Sequence, residues 1–211
     1  MEKMASPIHF NDFSTQKVFF ISDVHFDHAN IIKYTQRPFR NIEEMNETVV
    51  KNWNHAVKND DVVFFLGDLG FSRGHRSINY WLEKLNGKIY FLKGNHDHGN
   101  VGKATQIPSD YPLLYKGRQF LLMHYPNRPI DWNGWIIHGH KHNNNLEEYP
   151  LFNGEKKTIN VSVELINFTP IDLDEIIAFD LNSTKKVKML NAPLKNPLLA
   201  TIKNQLSKWI N

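Results

Sequence analysis

The sequence predicts an α/β domain built on a largely parallel sheet. Three short continuous apolar runs, residues 17–22, 61–66 and 88–91, have the pattern of strands buried on both faces. Between the first two, Ile42, Met45, Val49, Trp53 and Val57 recur at helical spacing. Between the second and third, Ile78, Trp81, Leu82 and Leu85 do the same. Strand, helix, strand, helix, strand is the order of right-handed crossovers onto a parallel sheet.

Taken in order, residues 1–15 are mixed and polar, a loose start. The run 17–22 ends in Asp23-Val24-His25-Phe26-Asp27-His28. If extended geometry continues, alternation puts Asp23 and His25 on one side. Residues 30–40 read as irregular, broken at Arg37-Pro38. Asn41 is the expected N-cap of the first helix, with Glu44 completing a capping box and the end near Lys58-Asn59. The second strand runs into Gly67-Asp68-Leu69-Gly70. The second helix, over 77–85, is stopped by Asn86-Gly87. The third strand breaks into Gly94-Asn95-His96-Asp97, where Gly94 is expected to permit a tight turn.

Residues 105–115, with Pro108 and Pro112, read as a loop. A strand over 119–123 ends at His124, and another over 135–137 ends at His138-Gly139-His140-Lys141-His142. Residues 157–165 alternate, with Ile159, Val161, Val163 and Leu165 on one face, as in a half-buried strand beside an antiparallel neighbour. A short helical turn is expected over 172–177. A terminal helix is expected over 194–210, where Leu198, Ile202, Leu206 and Ile210 are spaced by four. No internal repeat or domain boundary is evident. The expectation is one domain over 1–211, with its core at about 17–181 and an extension over 182–211.

Composition narrows the function. At 41% hydrophobic and 12% aromatic, 211 residues can bury a sizeable core. A net charge of +3 permits an anionic substrate. It does not indicate a nucleic-acid surface, which calls for a basic stripe, and Lys185, Lys186 and Lys188 read as a solvated surface group. The absence of cysteine excludes disulfides and thiolate metal sites. There is no apolar signal core at the start and no apolar run near the ~20 residues of a membrane span. The expected location is cytoplasmic, without a membrane partner; oligomeric state is left open.

Eleven histidines are the compositional oddity, and their positions carry the argument. Five buried strands each end in metal-ligand residue types: Asp23 with His25, Asp68, Asn95 with His96, His124, and His140 with His142. In α/β sheets, sites lie at the carboxyl ends of strands. Imidazole and carboxylate together suit borderline divalent ions such as Mn, Fe, Zn or Ni, with manganese favoured. With His96 set aside, the seven remaining candidates exceed the needs of one ion and suit two sharing a carboxylate. Two ions clamp the attacking and leaving oxygens of phosphoryl transfer and lower the pKa of a water between them. His96, next to a ligand, is then placed to give a proton to the leaving oxygen or to hydrogen-bond the phosphoryl oxygens, with Asp97 orienting its ring.

The motifs Asp23-Val24-His25, Gly67-Asp68, Gly94-Asn95-His96-Asp97, His124 and Gly139-His140-Lys141-His142 resemble those of the calcineurin-like metallophosphoesterases, in that family's order. The stretches His25-Phe26-Asp27-His28-Ala29-Asn30-Ile31-Ile32, Arg37-Pro38-Phe39 and Asn52-Trp53-Asn54 resemble a compact bacterial and phage subgroup of it. The resemblance implies two mixed β-sheets packed face to face, flanked by helices. It implies one metal on Asp23, His25 and His142, a second on Asn95, His124 and His140, and Asp68 bridging them. The implied reaction is attack of hydroxide on the phosphorus of a phosphate ester, a diester ahead of a monoester or nucleotide pyrophosphate, with His96 as acid. His28, Asn30 and Arg37 are candidate contacts to a small phosphate-ester or nucleotide substrate, whereas His138 reads as a packed residue. The competing classes are a non-catalytic scaffold on the same fold and a metallo-lactamase-like hydrolase. The intact ligand set argues against the first, and the single His-x-His against the second.

Overall fold

The computed structural model describes residues 8–9, 17–70, 76–127, 129 and 131–190. Among them, the first half of the chain carries β1 (Ile8–His9), β2 (Val18–Ile21), α1 (Ala29–Tyr34), α2 (Ile42–Ala56), β3 (Val62–Phe65), α3 (Ile78–Leu82), β4 (Lys88–Leu92) and β5 (Thr105–Ile107). The second half carries β6 (Tyr111–Tyr115), β7 (Arg118–Met123), β8 (Trp135–His138), β9 (Phe152–Asn153), β10 (Thr158–Asn160), β11 (Ile171–Asp172), α4 (Leu173–Ile177) and β12 (Lys186–Val187). A 3-10 turn, Val163–Ile166, follows β10. The helix expected over 194–210 lies outside the described residues.

The strands form two sheets. In the order β11-β2-β3-β4-β5, the middle pairings are parallel and only β11 runs against its neighbour. This is the parallel sheet that the alternating pattern predicts. Strands β6 to β10 and β12, together with β1, do not extend it. They form a second, mixed sheet in the order β1-β6-β7-β8-β10-β9-β12.

Side-chain alternation explains how the layers meet. Every residue of β2 and β3 is buried, so both faces of the first sheet are covered. On its inner face Phe64 stacks between Phe20 (5.4 Å) and Tyr90 (5.2 Å) and meets Tyr111 of the second sheet at 6.0 Å. On its outer face Phe65 packs on Phe91 and on Trp53 of α2. The second sheet turns Leu113, Phe120, Leu122, Ile137 and Ile159 into the same core. Its opposite face carries Leu121, Met123 and Ile136 under Trp132.

Helix α2 forms as its periodicity requires, burying Met45, Val49 and Trp53. Its cap differs in one detail. Asn41 Oδ1 accepts the Glu44 N–H (2.8 Å) as expected, but the Glu44 carboxylate reaches past Asn41 to the Arg40 N–H (2.7 Å). Trp53 Nε1 donates to Asn86 O (2.9 Å) and Asn54 Oδ1 accepts the Asn86 N–H (2.8 Å), which ties α2 to the turn before β4.

Three expectations are corrected. Residues 30–40 are not irregular throughout: α1 forms one and a half turns, with Ile31 buried beneath it. Residues 105–115 are two strands joined by a turn, and Pro112 sits inside β6 opposite Leu121. Residues 157–165 are a three-residue strand, parallel to β8 and antiparallel to β9, followed by the 3-10 turn, and both faces are buried. That burial matters, because here the two sheets are stitched together. The Ser22 N–H donates to Val161 O (3.0 Å), and the Val163 N–H donates to Ser22 O (3.2 Å). The carboxyl ends of β2 and β10 are thereby locked side by side.

Candidate metal centre

All five polar strand ends converge where the sheets are joined. The loops after β2, β3 and β4 bring Asp23 and His25, Asp68, and Asn95 to Asp97; the loops after β7 and β8 bring His124 and His140 with His142. They do so with unusual backbone. Asp23, His25, Asp68, His140 and His142 all have positive φ, between 47° and 68°. This left-handed region costs a non-glycine residue of order 1–3 kcal/mol. Extended alternation therefore does not place Asp23 and His25 together, as the sequence suggested; two left-handed turns do.

Glycines let these loops close up. A Cβ on Gly67, itself at φ 96°, would meet His124 Nδ1 at 2.5 Å and Gly94 N at 2.7 Å. One on Gly139 would meet Asp23 Oδ2 at 2.5 Å. A Cβ on Gly94 would run into the Asp68 carboxylate, while its φ is not in the left-handed region. Gly94 thus serves close approach rather than the tight turn expected.

Two groups of side chains result. Asp23, His25 and His142 have ligand atoms within 4.8 Å of one another, and so do Asp68, His124 and His140. His142 Nε2 lies 3.8 Å from Asp23 Oδ1. One oxygen of Asp68, Oδ2, lies 3.6 Å from His25 Nε2 and 3.4 Å from His124 Nε2. These gaps are longer than ordinary hydrogen bonds and are of the order spanned by two ligands that each sit ~2.1 Å from a shared ion. Asn95 Oδ1 joins the second group 3.1 Å from His124 Nε2.

The donor set passes a further test of fit. Asp23 Oδ1 and both ring nitrogens of His25 are buried without a hydrogen-bond partner in the protein, a costly arrangement unless a cation takes them. Burial holds His25 down to about 3, so its ring is neutral and able to ligate at neutral pH. For His142, burial lowers the pKa, but the charges of Asp23 and Glu164 outweigh it and raise it. In the adjoining pair, burial opposes both charges, yet Asp68 is held low by His124 and His25, and His124 is raised by Asp68. His28 and His140 are lowered, chiefly by burial.

The other sequence candidates are distributed around this centre. The His96 N–H donates to Asp68 Oδ1 (2.8 Å), and its ring stands edge-on to His25 at 5.3 Å, half-buried at the mouth. The His28 ring is 5.6 Å from His25. Asn30 is exposed in the first turn of α1. His138 is wholly buried, held down to about 4 by that burial, and gives its Nδ1 proton to Gly139 O, as a packed residue should.

Two roles are corrected. Asp97 does not orient the His96 ring. Its carboxylate accepts the backbone N–H groups of Asp68 (2.5 Å), Leu69 (2.9 Å) and Gly94 (2.9 Å), clamping the β3 and β4 loops together. Burial raises its pKa against those bonds. Arg37 does not face a substrate. It is 5% exposed, and its Nε, Nη1 and Nη2 are engaged by Glu164 Oε1, Thr35 Oγ1, Met45 Sδ and the carbonyls of Val24 and Asp23. The five donors of a guanidinium are thereby spent inside the protein.

Sequence reasoning missed Ser22, Asn160, Ser162 and Glu164. The Ser22 and Ser162 hydroxyls and the His140 N–H all donate to Asp23 Oδ2, at 2.7, 2.9 and 2.9 Å, leaving Oδ1 to face His142. Asn160 Oδ1 accepts the Ser162 N–H (3.1 Å), and its Nδ2 donates to the His142 carbonyl (3.1 Å). Glu164 Oε1 accepts from His142 Nδ1 (3.0 Å). Burial would raise the Glu164 carboxyl, but Arg37 and His142 hold it at about 2. The signal was present: Asn160, Ser162 and Glu164 occupy alternate positions in an otherwise apolar stretch.

Two groups able to hold a metal ion, meeting at one carboxylate over the carboxyl ends of strands, are an arrangement that suits a pair of ions. The chain belongs to the calcineurin-like phosphoesterase family, whose model matches residues 16–197. The family hydrolyses phosphoesters and usually binds two divalent metals. An uncharacterized protein of Methanocaldococcus jannaschii is 46% identical over 181 residues, 84% of this chain and 98% of its own length. The Gene 66 protein of Mycobacterium phage L5 is 31% identical over 101 residues, 46% of this chain and 48% of its own length. The crystal structure of a protein of unknown function from Aquifex aeolicus superposes with a TM-score of 0.60 at 25% identity, covering 78% of this chain and 99% of that one. The compact relative in particular fits the small subgroup indicated by the sequence. Among the described residues, no helix is long and apolar enough to cross a membrane.

Proposed function

We propose that the chain is a dinuclear-metal phosphoesterase in which Asp23, His25 and His142 hold one divalent ion, Asn95, His124 and His140 hold the other, and Asp68 joins them. The observation that carries this is the Asp68 carboxylate, whose single oxygen Oδ2 lies 3.6 Å from His25 Nε2 and 3.4 Å from His124 Nε2. Among Mn, Fe, Zn and Ni, manganese is the ion put first; the carboxylate and amide oxygens of the donor set suit it, while the imidazoles suit the others. When bound, such a pair supplies Lewis acidity and a water of lowered pKa. The protein's residues do the rest. His124 gives its Nδ1 proton to Leu66 O (2.9 Å), so its Nε2 points inward, and His142 gives its own to Glu164 with the same result. Protonated His96, fixed through its backbone N–H to Asp68, passes a proton to the departing oxygen as the bond from hydroxide oxygen to phosphorus forms and the ester P–O bond breaks. His28 and Asn30, on the α1 side, contact the substrate.

The substrate class put first is the phosphodiester, with monoesters and nucleotide pyrophosphates the alternative, and the protein works in the cytoplasm. The test is hydrolysis of an activated aryl diester and the matching monoester by manganese-loaded protein, with His96→Ala alongside. The expected result is manganese-dependent turnover, faster on the diester, falling by about 10²–10⁴-fold in His96→Ala with metal content unchanged. A folded, manganese-loaded protein that cleaves neither ester would overturn the proposal.

A further inference from the structure

We infer that Glu164 and Arg37 are positioning residues for one half of the centre: they set the metal affinity of the Asp23, His25 and His142 group and leave that of the Asp68 group unchanged. The inference rests on the dinuclear reading above.

The pair is an expensive one. The side chains of Arg37 and Glu164 are 0% and 4% exposed, with Nη2 2.7 Å from Oε1. A buried ion pair seldom stabilises a fold more than apolar groups of equal volume would. Its reason must lie in something apolar groups cannot do. The contacts show two such things. Glu164 Oε1, already holding Arg37 Nε and Nη2, accepts the His142 Nδ1 proton at 3.0 Å, which fixes both the ring's orientation and which nitrogen faces Asp23. Arg37 Nη2 and Nη1 meanwhile donate to the carbonyls of Asp23 (2.8 Å) and Val24 (2.7 Å). Those carbonyls flank the left-handed turn at Asp23, where φ is 58°. The same unit therefore holds both the carboxylate and the imidazole that face each other at 3.8 Å. It reaches them from two other parts of the chain, the segment after α1 and the 3-10 turn after β10. The second group takes its own supports from elsewhere: the His124 ring is set by the Leu66 carbonyl and the Asp68 loop by Asp97.

The test is a manganese titration of metal-free protein, by calorimetry and by electron paramagnetic resonance, on the wild type, Glu164→Gln and the double variant Arg37→Met with Glu164→Leu. The double variant replaces the ion pair with apolar volume, so no uncompensated charge remains in the core if a single change prevents folding. The wild type is expected to bind two ions, with the spectrum of a magnetically coupled pair. In the variants one site should weaken about 10–100-fold, the other should hold within about twofold, and at two equivalents the spectrum should be that of isolated ions. Variants with both affinities unchanged, or with both weakened alike, would overturn the inference. A wild type that takes up fewer than two ions would overturn the dinuclear reading and this inference with it.

Discussion

Asp23, His25 and His142 are braced by buried side chains, the hydroxyls of Ser22 and Ser162 and the Glu164–Arg37 pair. Asp68, His124 and His140 are braced through main chain: Leu66 O takes the His124 proton, Asp97 gathers three N–H groups around Asp68, and the His140 N–H is spent on Asp23. The two groups meet at the Asp68 carboxylate, whose Oδ2 lies near both His25 and His124, and differ in how they are supported. The first half-site is set by several side chains that touch its ligand residues directly, the second by main-chain groups that one side chain, Asp97, draws together. A half-site built on main chain is set by how closely the loops pack, which is why Gly67 and Gly94 stand where a Cβ would collide with His124 and Asp68.

The comparison is broken most severely at Asp97. Replacing it with alanine strands three backbone N–H groups, of which those of Asp68 and Leu69 are the deepest. At about 1–3 kcal/mol for each buried unsatisfied group, the loss of stability should be at least 3 kcal/mol by urea unfolding, and Asp97→Asn should lose less. A loss below about 1 kcal/mol would show that the main-chain brace is not what holds the second group.

A smaller effect separates the first group. The Glu164 carboxyl, ordinarily at 4.5, is held at about 2 in the folded protein, so folding favours its charged form. A depressed carboxyl contributes stability that is complete above its unfolded pKa and lost as pH falls through the folded one. Metal-free wild type should therefore lose of order 2–3 kcal/mol from this group between about pH 5 and 2. Glu164→Gln should lack that part of the acid slope, while the Asp68 contribution stays common to both. Equal slopes in urea melts across this range would contradict the buried charge assigned to Glu164.

The ligand-type residues were legible because chemistry needs those side chains whatever the backbone does. The strands that deliver them were legible because runs such as Val18–Ile21 and Val62–Phe65 are apolar throughout. The supporting residues were hidden by a reasonable inference that tertiary packing reversed. Alternation over 157–165 reads as one wet face and one dry one, yet the sheets join there, and Asn160, Ser162 and Glu164 end up inside, against the site. Arg37 looked like a phosphate contact because a guanidinium suits a phosphate, and only tertiary packing reveals that its donors are already taken. Strands β5 and β6, which belong to different sheets, were hidden by Pro108 and Pro112, which local propensity counts against a strand. The left-handed backbone at five of the strand-end residues has no periodic signature at all.

The shared carboxylate is the centre of the account, and one paired measurement tests it most directly: the number of manganese ions held per chain, and the rate on an activated aryl diester in the same sample, for wild type and Asp68→Asn. Two ions and turnover are expected in the wild type, and at most one tightly held ion with a rate at least ~100-fold lower in the variant. An Asp68→Asn chain that keeps both ions and its full rate would contradict the role given to that carboxylate.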